Sequence, residues 1–163
     1  MKPRRSNQLS TRLSVQVVRR KGAPKKPSQA QLTRLLTLGL TKIQASRRAV
    51  FGKHELFVVD VLLVDDAVIA ALNQAHLRHT GPTDVLSFPM GEFDPERGAF
   101  HLGEVVVSFE TARREAAARR LPVAEELTRY IVHGFLHCLG YEDDTALKAK
   151  VMRALQERLI KSL

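Results

Sequence analysis

The chain is poor in several things that would assign it to a class at once. It has one cysteine, Cys138, in 163 residues. That excludes an internal disulfide framework and suits a reducing cytosol. Its apolar runs, such as Val61–Val64 and Ala67–Leu72, fall far short of the roughly 20 residues a membrane helix needs. The basic N-terminus has neither the apolar stretch nor the small-residue cleavage site of a secretory signal. The expectation is a cytoplasmic protein with no membrane partner. Internal repeats are absent, and no linker separates two cores. An apolar content of 44% is enough for a real core, so the chain reads as one folded domain rather than a disordered one.

Acid is missing from one whole third of the sequence. Residues 1–54 carry 14 Lys or Arg and no Asp or Glu, whereas residues 55–163 carry 12 basic and 17 acidic residues. The net charge of +9 is therefore strongly polarised. A basic surplus commonly marks a nucleic-acid partner. No DNA-binding helix and no aromatic-rich RNA-binding signature accompanies it, so charge alone names no module and fits a solubilising tail equally well.

Residues 1–11 read as a basic, disordered tail, and residues 12–163 as the single domain. Leu13, Val15 and Val17 alternate as in a short strand. Ser28 is placed to cap a helix that carries Leu32, Leu35, Leu36, Leu40 and Ile43 at helical spacing. A buried strand is expected over His54–Val64, and a helix capped by Asp65 or Asp66 follows it. Val85–Phe88 reads as a short strand ended by Pro89, Phe93–Phe100 as a turn-rich loop, and Leu102–Ser108 as another strand. Helices are then expected over Glu110–Arg120, from Leu121-Pro122 onward, and over Thr145–Leu163. The order is β-α-β-α-β-β-α-α-α, an α/β or α+β domain. His76, His79 and His101 read as exposed loop residues.

The chemistry concentrates in His133-Gly134-Phe135-Leu136-His137-Cys138-Leu139-Gly140-Tyr141-Glu142-Asp143-Asp144. Two histidines four apart project from one helix face about a turn apart, as two imidazole ligands of one ion must. Gly140 can end the helix in the left-handed conformation. The chain can then turn back and offer a third donor from Glu142, Asp143 or Asp144. Two His and one carboxylate are a known ligand set for catalytic zinc. Glu126 and Tyr130 share the polar stripe of His133 and His137, while Cys138 falls on another face as a core residue. The zinc-protease run H-E-x-x-H has the same spacing, but its second position holds the glutamate that activates water. Gly134 stands there, which argues against peptide hydrolysis.

These residues resemble the YbeY family of endoribonucleases, rRNA-maturation factors whose signature H-G-x-L-H-x-x-G-Y-D-H matches H-G-F-L-H-C-L-G-Y-E-D here. A second family block, P-T-D-V-L-S-F-P, stands intact at Pro82–Pro89, and a third falls on Leu102-Gly103-Glu104-Val105-Val106-Val107-Ser108. The resemblance spans about residues 13–160. It implies an α+β fold, with a small mixed sheet and helices packed around a central histidine-bearing helix. It implies a metal-dependent endoribonuclease that prefers single-stranded RNA. Such enzymes act with the small ribosomal subunit in 16S rRNA 3′-end maturation and ribosome quality control. One Zn²⁺ per chain is expected on His133, His137 and, in place of the family's third histidine, Asp143. An oxygen donor there shifts preference toward harder ions, so another divalent metal is compatible. The family's active-site arginine falls on Leu77, with Arg78 next to it as the expected guanidinium. Ser87 matches a position facing the catalytic cleft, Thr83 and Asp84 are placed to brace the site, and Glu104 stands where the family has Asp. Arg19, Arg20, Lys21, Lys25 and Lys26 are the expected RNA-backbone contacts, with the helix after Ser28 beside them. The competing readings are a non-catalytic RNA-binding assembly factor with a degraded site, and a metallohydrolase of another substrate class.

Overall fold

The computed structural model describes residues 11–44, 51–52 and 54–162. Nearly all of the expected tail, and the end of the expected helix beyond residue 44, lie outside the described residues. The described elements are β1 (Arg12–Arg19), α1 (Gln29–Gln44), β2 (Leu56–Val64), α2 (Asp66–Leu77), β3 (Val85–Asp94), β4 (Ala99–Ser108), α3 (Phe109–Arg119), α4 (Val123–Cys138) and α5 (Ala146–Ile160). The sheet order is β1-β2-β4-β3. The first three strands are parallel and β3 is antiparallel to β4 at one edge. The fold is α+β with a mixed sheet, in the expected element order.

Local chemistry sets the starts of the helices. Ser28 and Gln31 cap α1 reciprocally: the Gln31 N–H donates to Ser28 Oγ at 3.2 Å and the Ser28 N–H to Gln31 Oε1 at 2.9 Å. Asp65 accepts from the Val68 N–H at 2.9 Å and opens α2. Ser108 caps α3 and, with the Thr111 hydroxyl, also donates to Asp66 Oδ1, while Arg114 donates to Asp66 Oδ2. The starts of α2 and α3 are thereby fastened together.

One sheet face, with Val59, Val61, Leu63, Val105 and Val107, shares a core with Leu32, Leu35, Leu36 and Leu40 of α1 and Leu127, Ile131 and Phe135 of α4. The other face packs Val64, Leu86 and Val106 against Ile69 of α2. Each fully buried aliphatic or aromatic side chain contributes roughly 1.5–3 kcal/mol. α4 is buried on nearly every side, which makes it the central helix.

Four local expectations are corrected, the first being that His76 lies in a loop: it is an exposed residue of α2. Pro89 does not end β3, because β3 is an edge strand and an edge tolerates a residue without an N–H. The strand bulges between Pro89 and Glu92 and continues to Asp94. Most of the expected 93–100 loop is therefore the end of one hairpin arm, a tight turn, and the start of the other. His101 is no loop residue: it sits in β4, largely buried, with Nε2 3.2 Å from Asp60 Oδ2.

A bulge in β4 changes which way its residues face. Val58 pairs with His101 and Val59 with Gly103, so Leu102 is extra. Phe100 and Leu102 before the bulge, and Val105 and Val107 after it, then all join one core. Gly103 carries the bulge at φ +148, and a Cβ there would lie 2.4 Å from the Phe88 carbonyl oxygen and 2.9 Å from Cys138 Sγ. Both the dihedral and the space require glycine. Gly103→Ala is expected to cost about 3 kcal/mol in urea denaturation, from combined strain and overpacking. A loss under about 1 kcal/mol would show that the sheet does not depend on this close approach.

Candidate metal centre

α4 approaches the sheet where it carries no side chain. A Cβ on Gly134 would stand 2.5 Å from Val105 Cγ1, 2.9 Å from Ser87 Oγ and 3.1 Å from Val85 Cγ2. Position 134 therefore faces the sheet, and His133 and His137, to one side of it on the helix, remain half-buried. Ser87 lies beneath α4 against Gly134 rather than among the residues lining the cleft described below.

The end of α4 is shaped to return the chain. Gly140 takes φ +82, its N–H donates to the His137 carbonyl at 2.8 Å, and the Tyr141 N–H donates to the Leu136 carbonyl at 3.0 Å. This double closure is the Schellman arrangement. It turns the Tyr141 carbonyl back onto His137, whose Nδ1–H donates to it at 2.9 Å. It also swings Asp143 over the histidine pair. Asp143 Oδ2 lies 3.7 Å from His133 Nε2, and Oδ1 lies 3.9 Å from His137 Nε2.

The second histidine is oriented from α5. Thr145 caps that helix by accepting from the Lys148 N–H, and Gln156 presents Oε1 to His133 Nδ1 at 3.1 Å. With both Nδ1 atoms donating, both Nε2 atoms carry a free lone pair. They face each other at 3.2 Å. Burial, and secondarily the neighbouring His137, hold the His133 imidazole below its ordinary value, which favours this neutral form.

Two imidazole lone pairs and a carboxylate thus converge with no donor between them. The three ligand atoms lie within 4.8 Å of one another. Donors around a tetrahedral ion at about 2.0–2.2 Å stand about 3.3–3.6 Å apart, close to the spacings found. An arrangement made only of acceptors fits a cation, and the nitrogen-rich donor set fits a borderline-soft divalent one. The rival donors are turned away: Lys148 Nζ pairs with Glu142 at 2.5 Å and Asp144 at 2.9 Å. Cys138 is buried on another face, its Sγ against the Glu104 carbonyl, as expected.

A cleft of about 580 Å³ opens beside His133, between α3, α4, α5 and Pro82–Asp84. Its wall holds Arg114, Arg119, Arg129 and Arg153 together with Tyr130 and Gln156. Glu126 lies fully buried beneath it, 3.2 Å from Arg119 and 3.1 Å from Arg129. Burial, then the charge and hydrogen bond of Glu126, push the Tyr130 phenol upward, so it stays protonated and donates to that carboxylate. Thr83 and Asp84 brace the rim: Asp84 Oδ1 accepts from the Thr83 hydroxyl and the Val85 N–H.

Other expected residues fall elsewhere. Arg78 is the left-handed C-cap of α2, exposed, and is not part of the cleft wall. Arg19 donates into its own loop, to the carbonyls of Pro24 and Pro27. Arg20 lies 3.7 Å from Asp65, while Lys21, Lys25 and Lys26 are exposed. Glu104 makes no ion pair among the described residues. Sequence reasoning missed Gln156 and the cleft arginines. For Gln156 a signal existed: it is a polar residue on the buried stripe of Met152 and Leu159.

The family model for Endoribonuclease YbeY matches residues 19–163. The chain is 41% identical over 123 residues to the Endoribonuclease YbeY of Moorella thermoacetica, covering 71% of this chain and 77% of that one. It is 36% identical over 130 residues to that of Mycobacterium ulcerans, covering 74% and 73%. A Thermotoga maritima protein solved in solution is similar in structure, with a TM-score of 0.51 and 26% identity over 90% of this chain and 87% of that one.

Titration with Zn²⁺, read by calorimetry, tests the ligand set. His133→Ala and His137→Ala are expected to abolish binding, Asp143→Asn to weaken it, and Gln156→Leu to weaken it about 10–100-fold by releasing the ring. Asp144→Asn should leave it unchanged. Loss of binding in Asp144→Asn with retention in Asp143→Asn would reassign the third ligand.

Proposed function

The chain belongs to the endoribonuclease YbeY family, an RNA-cleaving hydrolase family, and on that premise we propose that it is a zinc-dependent, single-strand-preferring cytoplasmic enzyme acting on the 3′ end of 16S rRNA in the small ribosomal subunit. The observation that carries the metal part of this reading is the convergence of His133 Nε2, His137 Nε2 and the Asp143 carboxylate with no hydrogen-bond donor among them. The ion bound there would supply Lewis acidity toward a phosphoryl oxygen.

The protein's own groups do the rest. Gln156 and the Tyr141 carbonyl fix both rings, so no reorganisation is needed on binding. The cleft arginines give planar donors suited to phosphate oxygens. The cleft admits a flexible strand past three helices. Arg78 and Ser87 remain proposed catalytic residues on the family resemblance alone; Arg78 stands outside the cleft wall. Lys21, Lys25 and Lys26 are the proposed outlying backbone contacts, and Arg20 joins them by giving up Asp65. Arg19 is assigned a bracing role in that loop, because its guanidinium is already engaged. A lone buried cysteine is compatible with the cytoplasm, and no described helix is long and apolar enough to cross a membrane.

The protease alternative conflicts with the packing. The glutamate it requires would occupy position 134, where even a methyl group meets Val105. No specific observation favours a non-catalytic assembly factor.

Purified protein should cleave single-stranded RNA faster than a duplex of the same sequence. Chelator should abolish the activity and added Zn²⁺ restore it. His133→Ala/His137→Ala should lose at least about 100-fold in kcat/KM. Cleavage that survives both chelation and the double substitution would exclude the metal-dependent reading.

A further inference from the structure

We propose that Arg153, with the Arg119–Glu126–Arg129 cluster beside it, forms a subsite for a non-scissile phosphate of the RNA backbone, on the α3 side of His133. The inference rests on the endoribonuclease reading and deepens it by assigning where the strand is held.

Four guanidinium groups line the cleft, and three are committed. Arg114 is held by Asp66 at 2.6 Å. Arg119 is held by Glu115 at 3.4 Å and Glu126 at 3.2 Å. Arg129 meets Glu126 at 3.1 Å, Glu125 at 3.5 Å and Glu157 at 3.7 Å. Arg153 is exposed and forms no ion pair among the described residues. It lies three residues before Gln156 on α5, so both project toward the α4 side of that helix. Arg153 therefore sits beside the residue that orients His133 and lines the same cleft.

The neighbouring cluster supplies fixed hydrogen-bond donors beside Arg153. Glu126 is fully buried and holds both guanidinium groups from beneath. A carboxylate used this way fixes Arg119 and Arg129 in place, with N–H groups to spare, since each guanidinium has five donors. With Glu115, Glu125 and Glu157 also paired to these two arginines, the cluster has no positive charge to spare, and Arg153 is the cleft guanidinium without a carboxylate partner among the described residues. The unpaired positive charge of Arg153, beside held guanidinium groups with spare N–H donors, suits a phosphodiester, whose oxygens accept in the plane of a guanidinium. Arg129 is one helical turn before His133, about 6 Å along α4. That is on the scale of one nucleotide step in an extended strand. The subsite would thus hold the phosphate next to the reacting one.

Arg153→Ala and Arg153→Lys, with Lys161→Ala as a charge-matched control at the exposed end of α5, test the assignment. Cleavage kinetics on single-stranded RNA, anisotropy binding of a labelled oligoribonucleotide across salt concentrations, and bound zinc are measured for each. Arg153→Ala should raise KM about 10-fold, with kcat and zinc content unchanged. It should also reduce the slope of log affinity against log salt by about 0.7–1. Arg153→Lys should recover the salt slope and part of KM, and Lys161→Ala should match the wild type. KM and slope unchanged in Arg153→Ala would overturn the subsite. So would a joint loss of kcat and zinc, which would assign Arg153 to support of Gln156. Wild-type protein that neither binds nor cleaves RNA would overturn the endoribonuclease reading itself, a result read from a different arm.

Discussion

The histidine helix lies on the sheet where two glycines face each other's elements. At Gly134 the helix has no side chain, and at Gly103 the strand has none, so backbone and side chains approach within distances that no Cβ permits. That contact fixes the rotation of α4 about its own axis. With position 134 against the sheet, His133 and His137 stand to one side of that contact, both partly exposed, while Phe135 and Leu136 fill the core. The β4 bulge serves the same end, because it makes the room into which Cys138 packs. A rotation of α4 by even one residue, about 100°, would bury one imidazole without a partner and withdraw the pair from Asp143.

Two electrostatic problems stand side by side on this helix and are solved in opposite ways. Around Glu126 a buried carboxylate is surrounded by donors: two guanidinium groups and a phenol. Removing one partner of a buried pair of this type commonly costs about 3–5 kcal/mol, so the cluster is a rigid element. Around His133 and His137 the polar groups are acceptors with no donor between them. The first cluster is held by ion pairs within the protein; the second is suited to a cation. Rigidity of the first supports the second, since Arg129 and His133 occupy successive turns of one helix whose position both depend on.

What the sequence made legible follows from how local each determinant is. The histidine pair, the glycine stop and the helix caps rest on spacings of three to seven residues, and they stand where the pattern places them. Pro89 was misread because its meaning depends on whether the strand has a neighbour on its N–H side, a fact of sheet order that no local window contains. His101 was misread for a related reason: its partner Asp60 is brought to it by parallel pairing across some 40 residues. Gln156 and the cleft arginines come from three helices and acquire meaning only after those helices pack. Arg19 shows the reverse limit. Its charge was legible, but its use was not, because the loop it braces supplies carbonyls that a count of charges does not register.

The polarised charge of the sequence takes on a different sense beside this geometry. The basic first third is where the surplus lies in number, yet the cleft beside His133 draws its arginines from the second half of the chain, which is net acidic. Position matters more than count, because a charge acts on a phosphate only within about a Debye length, near 8 Å at physiological ionic strength, and far more strongly when held in a partly desolvated wall. The acids of that half are spent locally, on Arg119, Arg129 and Lys148, and Arg114 is held by Asp66. Asp143 sharpens the point. A carboxylate in the third donor position gives the ligand set one negative charge, where a third imidazole would give none. A dication bound there would retain one unit of charge rather than two. The remaining stabilisation of an anionic phosphoryl group then has to come from the protein, and the guanidinium groups of the adjoining cleft are a described source of it.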